Sequence, residues 1–425
     1  MLNQVRIDRR VLYSFMLIMT VMNAVVFFIP WKEIMAGKND FPVFYSSAQM
    51  VREGQSSHLY DFDAENSFVH RVSEKSRAPN NHLPYELLIF VPFTHLQFGT
   101  AQVLWILLSL AMLVAVAAML HNIWRNSSSG SLTFLTITGF FPVWYCLLQG
   151  QDSIMLLFLL ALSYWCWKRG QDDAAGFVLA LGLFRPQLVL PFAFVALLGG
   201  KWKFVRGFVP GAIVVVGLSA WVVGLHGMAE YARVLISQGT GGSAGALAKQ
   251  WQVDPSLMPT LRGLLWVSLP SSMPGIVRTL LLFAGLSFGL LWAAKGIREA
   301  QDEATFDLAF AVTAAVVVLI SFHSFLHDFS LLILPLLVAG NAVLSSVRVA
   351  KTGQYLVVTM AFLLFLTPLY QVLLLTHKVG LLALLLIGAL WLMSRWDIGA
   401  ARVFEADQDP ILCGVLLAQV ERLQS

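Results

Sequence analysis

The chain has 425 residues, 58% of them hydrophobic and only 12% charged, with a mean hydropathy of +0.73. That composition excludes a soluble globular protein, which could not cover its surface with polar atoms, and assigns the chain to the polytopic membrane class. The net charge of +4 and isoelectric point near 9.0 reflect loop lysines and arginines. No basic stripe with interleaved aromatics stands clear of the apolar runs, so nucleic acid is excluded as a partner.

Arg6, Arg9 and Arg10 precede an apolar run from Val11 to Trp31. This is the pattern of an uncleaved first span with the amino terminus inside, not of a cleavable signal peptide. The next stretch, GKNDFPVFYSSAQMVREGQSSHLYD, puts Asp40 at the membrane–water boundary. Phe41, Phe44, Tyr45, Ala48 and Val51 follow at i, i+3, i+4, i+7 spacing, which predicts an interfacial helix with its apolar face toward lipid. Asp40 carries two readings that do not exclude one another. It can N-cap that helix, with Pro42 in the first turn, or it can serve as an acid held under a hydrophobic slab, where it would deprotonate a hydroxyl beside a lipid-borne donor.

From Leu83 to Phe98 a shorter apolar piece carries Pro84 and Pro92 and reads as a re-entrant or interfacial lead-in. Apolar runs of spanning length then lie at 100–121, 131–148, 153–167, 205–225, 276–294, 306–322, 329–347, 354–372 and 379–394. Ala174–Gly199 is too long for one ordinary crossing and too short for two, and Pro186 sits at its middle behind Arg185. The charges decide its path. Lys168 and Arg169 precede it, and Lys201, Lys203 and Arg206 follow it. A single crossing would turn the second cluster outward, and with it Lys295, Arg298, Arg348, Lys351 and Arg395. A hairpin of two half-length helices with its tip at Arg185-Pro186-Gln187 keeps them all inside.

The fold class expected is therefore an all-α polytopic membrane bundle of about 12 transmembrane or half-length helices, both termini cytoplasmic. Residues 1–395 form one membrane domain, and the polar segment 396–425 is a cytoplasmic tail. The outer face would receive the 32–82 loop, the Leu148–Asp152 turn, a long 225–274 connection, the Ser321–Asp328 stretch and a Thr376-His377-Lys378 turn. The 225–274 connection, Gly-rich at GTGGSAG and carrying Trp251, reads as a lid or substrate-binding loop. No internal repeat marks a two-fold transporter.

Charged and imidazole groups at membrane depth are costly and point to function. His323 and His327 in SFHSFLHD are four apart, on one face if helical, and Asp328 follows. There is no HExxH arrangement and no third ligand nearby, so no metal is expected and no cofactor is called for. A hydrogen-bonded group that orients Asp40 or binds a sugar hydroxyl is the functional reading; an interfacial pair that only ends a helix is the bland one. Arg185 has no anion nearby in sequence. Either a lipid phosphate supplies one, which suits the guanidinium fork, or a buried salt bridge to another helix does. Gln151 and Asp152 lie on an outer turn where they can meet sugar hydroxyls, although capping of the next helix is favoured for Asp152. Cys146, Cys166 and Cys413 are too scattered for a disulfide framework or a metal site.

In their order and spacing, several of these segments resemble the membrane-embedded GT-C glycosyltransferases, and among them glycosyltransferase family 87. They are DFPVFYSSAQMVREGQSSHLYD, Pro84-Tyr85, GQDSIMLLFLLAL, AGFVLALGLFRPQLVLPF and FHSFLHDFSLLILP. Named members of that family include polyprenyl-phosphate-mannose-dependent mannosyltransferases. The resemblance implies that Asp40 is the general base, that His327 shapes the acceptor site and that Arg185 contacts the donor phosphate. Asp328, His323, Gln151 and Tyr60, the last within the LYD of the first motif, join as substrate-binding candidates. Glu86 stands where the family commonly shows a second proline after Pro84; it is either a second acid near the site or an interfacial carboxylate. The partners implied are a polyprenyl-phosphate sugar donor, a glycolipid or glycan acceptor and the lipid bilayer. A transporter or flippase of a lipid-linked sugar is the competing expectation, since it too needs intramembrane Arg and His.

Overall fold

A computed structural model describes residues 9–74, 76, 80–123, 130–240, 254–345, 359–360 and 362–393. The described residues form helices and short 3-10 turns, with no strand among them. Bilayer hydrocarbon offers the backbone no water, so each segment satisfies its own N–H and C=O groups within a helix. Five helices are long and apolar enough to cross a membrane: Arg10–Phe28, Phe98–Ile123, Trp202–Ile236, Gly275–Glu299 and Glu303–Ile320. Gly130–Gly139 and Phe141–Gln149, bent by 59°, make a sixth if counted as one broken span. Pro142 sits in the first turn after that bend, where its missing N–H costs nothing. Shorter apolar helices, Ser153–Lys168 and Pro186–Leu198 among them, fill the rest of the bundle.

Chain order gives α1 (Arg9–Phe28), α2 (Trp31–Met35), α3 (Phe41–Arg52) and α4 (Phe62–Val72), then α5 (Leu87–Phe90) and α6 (Phe98–Ile123). The broken span supplies α7 (Gly130–Gly139) and α8 (Phe141–Gln149). Next come α9 (Ser153–Lys168), α10 (Asp172–Ala180), α11 (Pro186–Leu198) and α12 (Trp202–Thr240). The helices α13 (Leu261–Ser268), α14 (Gly275–Glu299) and α15 (Glu303–Ile320) follow, and a 3-10 turn, Leu326–Leu332, leads into α16 (Ile333–Ser345).

The expected hairpin is present. Helix α10 ends at Ala180, the chain turns through Leu181–Arg185, and α11 starts at Pro186. Arg206, just beyond the return, bonds Asp173 at the start of the hairpin, Nη2 to Oδ2 at 2.6 Å. The two ends of the 174–199 stretch therefore emerge together. Small residues make this packing close: a Cβ on Gly207 would lie 1.8 Å from the Asp173 carbonyl oxygen, and one on Gly176 1.9 Å from that of Phe204. Lys168 reaches Asp307 at 2.9 Å, and Arg298 donates to the Leu198 carbonyl at 2.6 Å. The basic clusters thus gather at one end of the bundle.

One sequence expectation is corrected here. The apolar face of α3 does not look to lipid. Phe41 and Ala48 are fully buried, and Phe44 and Tyr45 nearly so. The 84–98 segment folds over them as short turns, and Phe41 packs on Phe98 at 5.8 Å while Phe44 stacks on Phe90 at 5.1 Å. Aromatic pairing within the protein outcompetes lipid for that face. The 225–274 connection, read as a lid or substrate-binding loop, is largely helical over its described part. Helix α12 bends at Gly224 (φ 71°), a conformation that favours glycine, and runs on to Thr240. Beyond the undescribed 241–253, the chain re-enters as a 3-10 turn and α13. Most of GTGGSAG, Trp251 and the tail from 396 lie outside the described residues, as do Cys413 and, in the ninth run, 354–358 and 361.

Candidate functional site

At the end of the bundle opposite the Asp173–Arg206 pair, a cavity of about 330 Å³ opens, within the range of small-molecule sites. Its wall includes Asp40, Gln151, Arg185, His323 and His327, five residues singled out in sequence and drawn from four separate parts of the chain. Three local devices place them. First, the Asp40 backbone N–H donates to the Gln149 carbonyl at 2.9 Å, and Asn39 Nδ2 donates to that of Leu148 at 3.1 Å. These bonds pin the start of α3 to the end of α8. Second, Gly150 turns the chain between α8 and α9 with φ 68°, and a Cβ there would meet that of Phe41 at 2.7 Å. Third, the hairpin tip delivers Arg185 from between α10 and α11.

Asp40 stands at the N-cap position of α3, yet its side chain makes no capping hydrogen bond. Its Oδ2 accepts instead from Gln151 Nε2 at 2.7 Å. Asp152 likewise precedes α9 without capping it. The capping favoured for it is replaced by ion pairing: Arg185 Nε donates to Asp152 Oδ1 at 3.1 Å, and Nη2 bonds both that carboxylate and Gln151 Oε1, the latter at 2.6 Å. Arg185 Nη1 lies 3.4 Å from Asp328 Oδ1. Between the two origins considered for its anion, the structure thus supplies a buried salt bridge, to Asp152 and Asp328. A buried charge requires such pairing before any ligand arrives. Asp328 is fixed further by Ser153 Oγ at 2.7 Å and by the Phe325 N–H at 3.0 Å.

Residues 321–325 are not helical, so the two histidines meet the cavity through a bent segment rather than through one helical face. His323 Nε2 contacts Asn81 Nδ2 at 3.0 Å, and His327 Nε2 lies 3.5 Å from Asp328 Oδ2. Asp328, Glu86 and Tyr60 are not on the cavity wall. Tyr60, strained at φ 78°, donates its hydroxyl to the His82 carbonyl at 2.7 Å. Glu86 is fully buried, with Oε2 2.7 Å from His82 Nδ1.

His82 was missed, as were its neighbours Asn80 and Asn81 and the α8 residues Tyr145 and Gln149, all on the wall. The signal was there: a polar Asn80-Asn81-His82 run directly before an apolar piece, with Glu86 at i+4. Burial, the largest influence, pushes the His82 imidazole down to about 3, against the opposing pull of Asp152, so the ring is neutral at ordinary pH.

His82, Glu86 and Asp152 each offer one atom within 4.8 Å of the others, close enough in principle to hold a cation. However, Asp152 is already bound by a guanidinium, which competes for the same oxygens. Chemically, the cavity offers a carboxylate facing an open volume, a guanidinium across a shared amide, imidazoles, and amide and aromatic surfaces of the kind that meet sugars.

A profile of glycosyltransferase family 87 matches residues 84–321. The match covers Glu86, Gln151 and Arg185 and leaves out Asp40, His323, His327 and Asp328. No curated protein and no solved structure matches the chain.

Proposed function

The chain belongs to glycosyltransferase family 87, and from that premise we propose an inverting reaction in which a hexose, mannose favoured, passes from a polyprenyl phosphate to a glycolipid or glycan. The reaction takes place on the extracytoplasmic face of the plasma membrane. The proposed topology has about 12 transmembrane or half-length segments, with both termini in the cytoplasm. The observation that carries this reading is the shared cavity: Asp40 and Arg185 open onto one volume, with Gln151 spanning between them.

In this mechanism Asp40 takes the proton of the acceptor hydroxyl as that oxygen attacks the anomeric carbon. The bond from the anomeric carbon to the phosphate oxygen breaks, and polyprenyl phosphate leaves with the electron pair. Attack and departure on opposite faces of the ring invert the anomeric centre, by the logic that governs inverting glycosidases. Arg185 stands near the leaving phosphate, its charge tempered by Asp152 and Asp328. His323 and His327, with Asn81 and Gln149, supply hydroxyl partners for the sugars. Asp328 and Tyr60 act behind the wall, one holding Arg185 and His327, the other supporting His82.

The test has two readouts. Membrane glycolipids from cells with and without the protein are compared by mass spectrometry for a difference of one hexose. Purified protein is then given polyprenyl-phosphate mannose and extracted acceptor lipids. Transfer with inversion is expected. Passage of intact lipid-linked sugar across sealed vesicles without transfer would establish the flippase reading instead.

A further inference from the structure

The pair formed by His82 and Glu86 has no part in the chemistry above. The His82 ring lies on the cavity wall against Phe44, centroids 5.2 Å apart. Its Nδ1 is turned toward carboxylates, 2.7 Å from Glu86 Oε2 and 3.3 Å from Asp152 Oδ2. Nε2 is therefore the ring nitrogen left for a ligand. Three buried carboxylates, Glu86, Asp152 and Asp328, crowd around one guanidinium, and Glu86 is within hydrogen-bond reach of the Asp152 carboxylate as well as of His82. A low-dielectric site does not hold that excess of negative charge. With three carboxylates against one guanidinium, a proton on Glu86 halves that excess. That O–H has two acceptors in reach, the Asp152 carboxylate and Nδ1; given to Nδ1, it leaves a neutral imidazole that must carry its hydrogen on Nε2.

Arg185 cannot clamp a phosphate with its fork. Its Nε–H and both Nη2 hydrogens serve Asp152 and Gln151, and Nη1 faces Asp328. With five N–H groups in all, that leaves one for a ligand. A second donor is needed on the same wall, and His82 stands on the other side of Asp152 from Arg185.

We propose that His82, set in its Nε2–H tautomer by Glu86, is a second hydrogen-bond donor to the phosphate of the lipid-borne sugar. Glu86 acts through His82 and is a positioning residue. The other charged or titratable groups facing the ring are Asp152, Arg185, Asp328 and His327. The inference rests on the polyprenyl-phosphate donor of the preceding section.

The probe is farnesyl phosphate, with farnesol as its phosphate-free control, bound to purified full-length protein in nanodiscs. Wild-type protein is expected to bind farnesyl phosphate more tightly than farnesol. His82→Phe, which keeps the ring contact with Phe44, should weaken farnesyl phosphate about tenfold or more, as loss of a hydrogen bond to a charged group does, and leave farnesol unchanged. Glu86→Leu should weaken farnesyl phosphate likewise. Glu86→Gln, oriented by its N–H toward Nδ1, should recover most of the loss. Unchanged farnesol binding guards against a misfolded variant.

If wild type does not distinguish the two ligands, the donor reading fails and this inference with it. If wild type distinguishes them and His82→Phe does so equally, only the role of His82 is overturned. Binding that a chelator abolishes and a divalent cation restores, with Glu86→Gln as poor as Glu86→Leu, would also overturn it, in favour of a cation at His82, Glu86 and Asp152.

Discussion

Gln151 donates its amide to the Asp40 carboxylate across 2.7 Å, and its orientation there is not free. Its Oε1 accepts from Arg185 at 2.6 Å, and a guanidinium has no acceptor to offer the other face of the amide. The nitrogen must therefore point at Asp40. Gln151 links the proposed base to the buried Arg185, Asp152 and Asp328 group, and we assign it a positioning role beside its place on the cavity wall.

Gln151→Leu should accordingly lower kcat by about ten- to a hundredfold, the range for loss of a charge-assisted hydrogen bond that holds a reacting group. Gln151→Glu should be worse than Leu, because it sets a second carboxylate against Asp40. Steady-state transfer from polyprenyl-phosphate hexose reads both. Equal rates in the two variants would mean that the amide does not orient Asp40.

Asp40→Asn keeps the shape of the carboxylate and loses its basicity. The expected fall in transfer is about a hundredfold to ten-thousandfold, the usual span for a general base. Farnesyl phosphate affinity should stay near wild type, because Asp40 is assigned to the acceptor side. A variant that still transferred sugar at the wild-type rate would remove Asp40 from the mechanism.

Arg185 is held by Asp152, Asp328 and Gln151 together, and its loss should be felt first in stability. Arg185→Met leaves Asp152 and Asp328 buried without a counter-charge, at a cost of about 3–5 kcal/mol. Arg185→Lys should not rescue it, because one ammonium cannot serve Asp152, Asp328 and Gln151 with the geometry of a planar fork. Adding Asp152→Asn and Asp328→Asn to Arg185→Met should recover part of the loss by removing the orphaned charge. Thermal unfolding in detergent measures all three. Were Arg185→Met as stable as wild type, the ion pairs would contribute nothing.

How much of this was legible follows from what each residue's neighbours reveal. Asp40 could be read because an acid directly after a first span is conspicuous, and the hairpin because Lys168, Arg169, Lys201, Lys203 and Arg206 fix both of its ends. The pairing of Arg185 could not be read. Its partners arrive from the α8–α9 turn and from the segment after α15, and only folding brings them together. The spacing of Phe41, Phe44, Tyr45 and Ala48 defined a face correctly but not its cover. Periodicity cannot distinguish lipid from Phe90 and Phe98. His82 escaped because a single imidazole before Leu83-Pro84 looks like a boundary residue until Glu86 is seen beneath it.

Glu65 on α4, in the segment between α3 and α5, predicts a pH dependence. It is buried, and burial pushes its carboxyl up from 4.5 to about 8, although the Asn80 N–H, 3.2 Å from Oε2, works in the opposite direction. A raised pKa means that the folded form holds its proton more tightly than the unfolded form. The stabilisation is fully present below about 4.5 and is lost as pH rises toward about 8. The protection factors of amides in residues 62–72, which correct for base-catalysed intrinsic exchange, should therefore fall over that window. Glu65→Gln should abolish the dependence and be the more stable protein at pH 8. Equal slopes for the two proteins would place the titration elsewhere.

The hairpin makes a geometric prediction that needs no activity. Asp173 bonds Arg206, and Arg298 bonds the Leu198 carbonyl, so both ends of the 174–199 stretch lie at the same end of the bundle. Arg185 at its tip is buried beside Asp152, far from either end. With the native cysteines replaced, single cysteines at Gln171 and Lys201 should react with a membrane-impermeant thiol reagent from the same side. A cysteine at His377, beside the cavity residue Leu374, should react from the other side. If the reagent reached 171 and 201 from opposite sides, the stretch would be a full crossing. Arg185 would then lie partway along a transmembrane span, and the cavity it shares with Asp40 would not exist in the membrane.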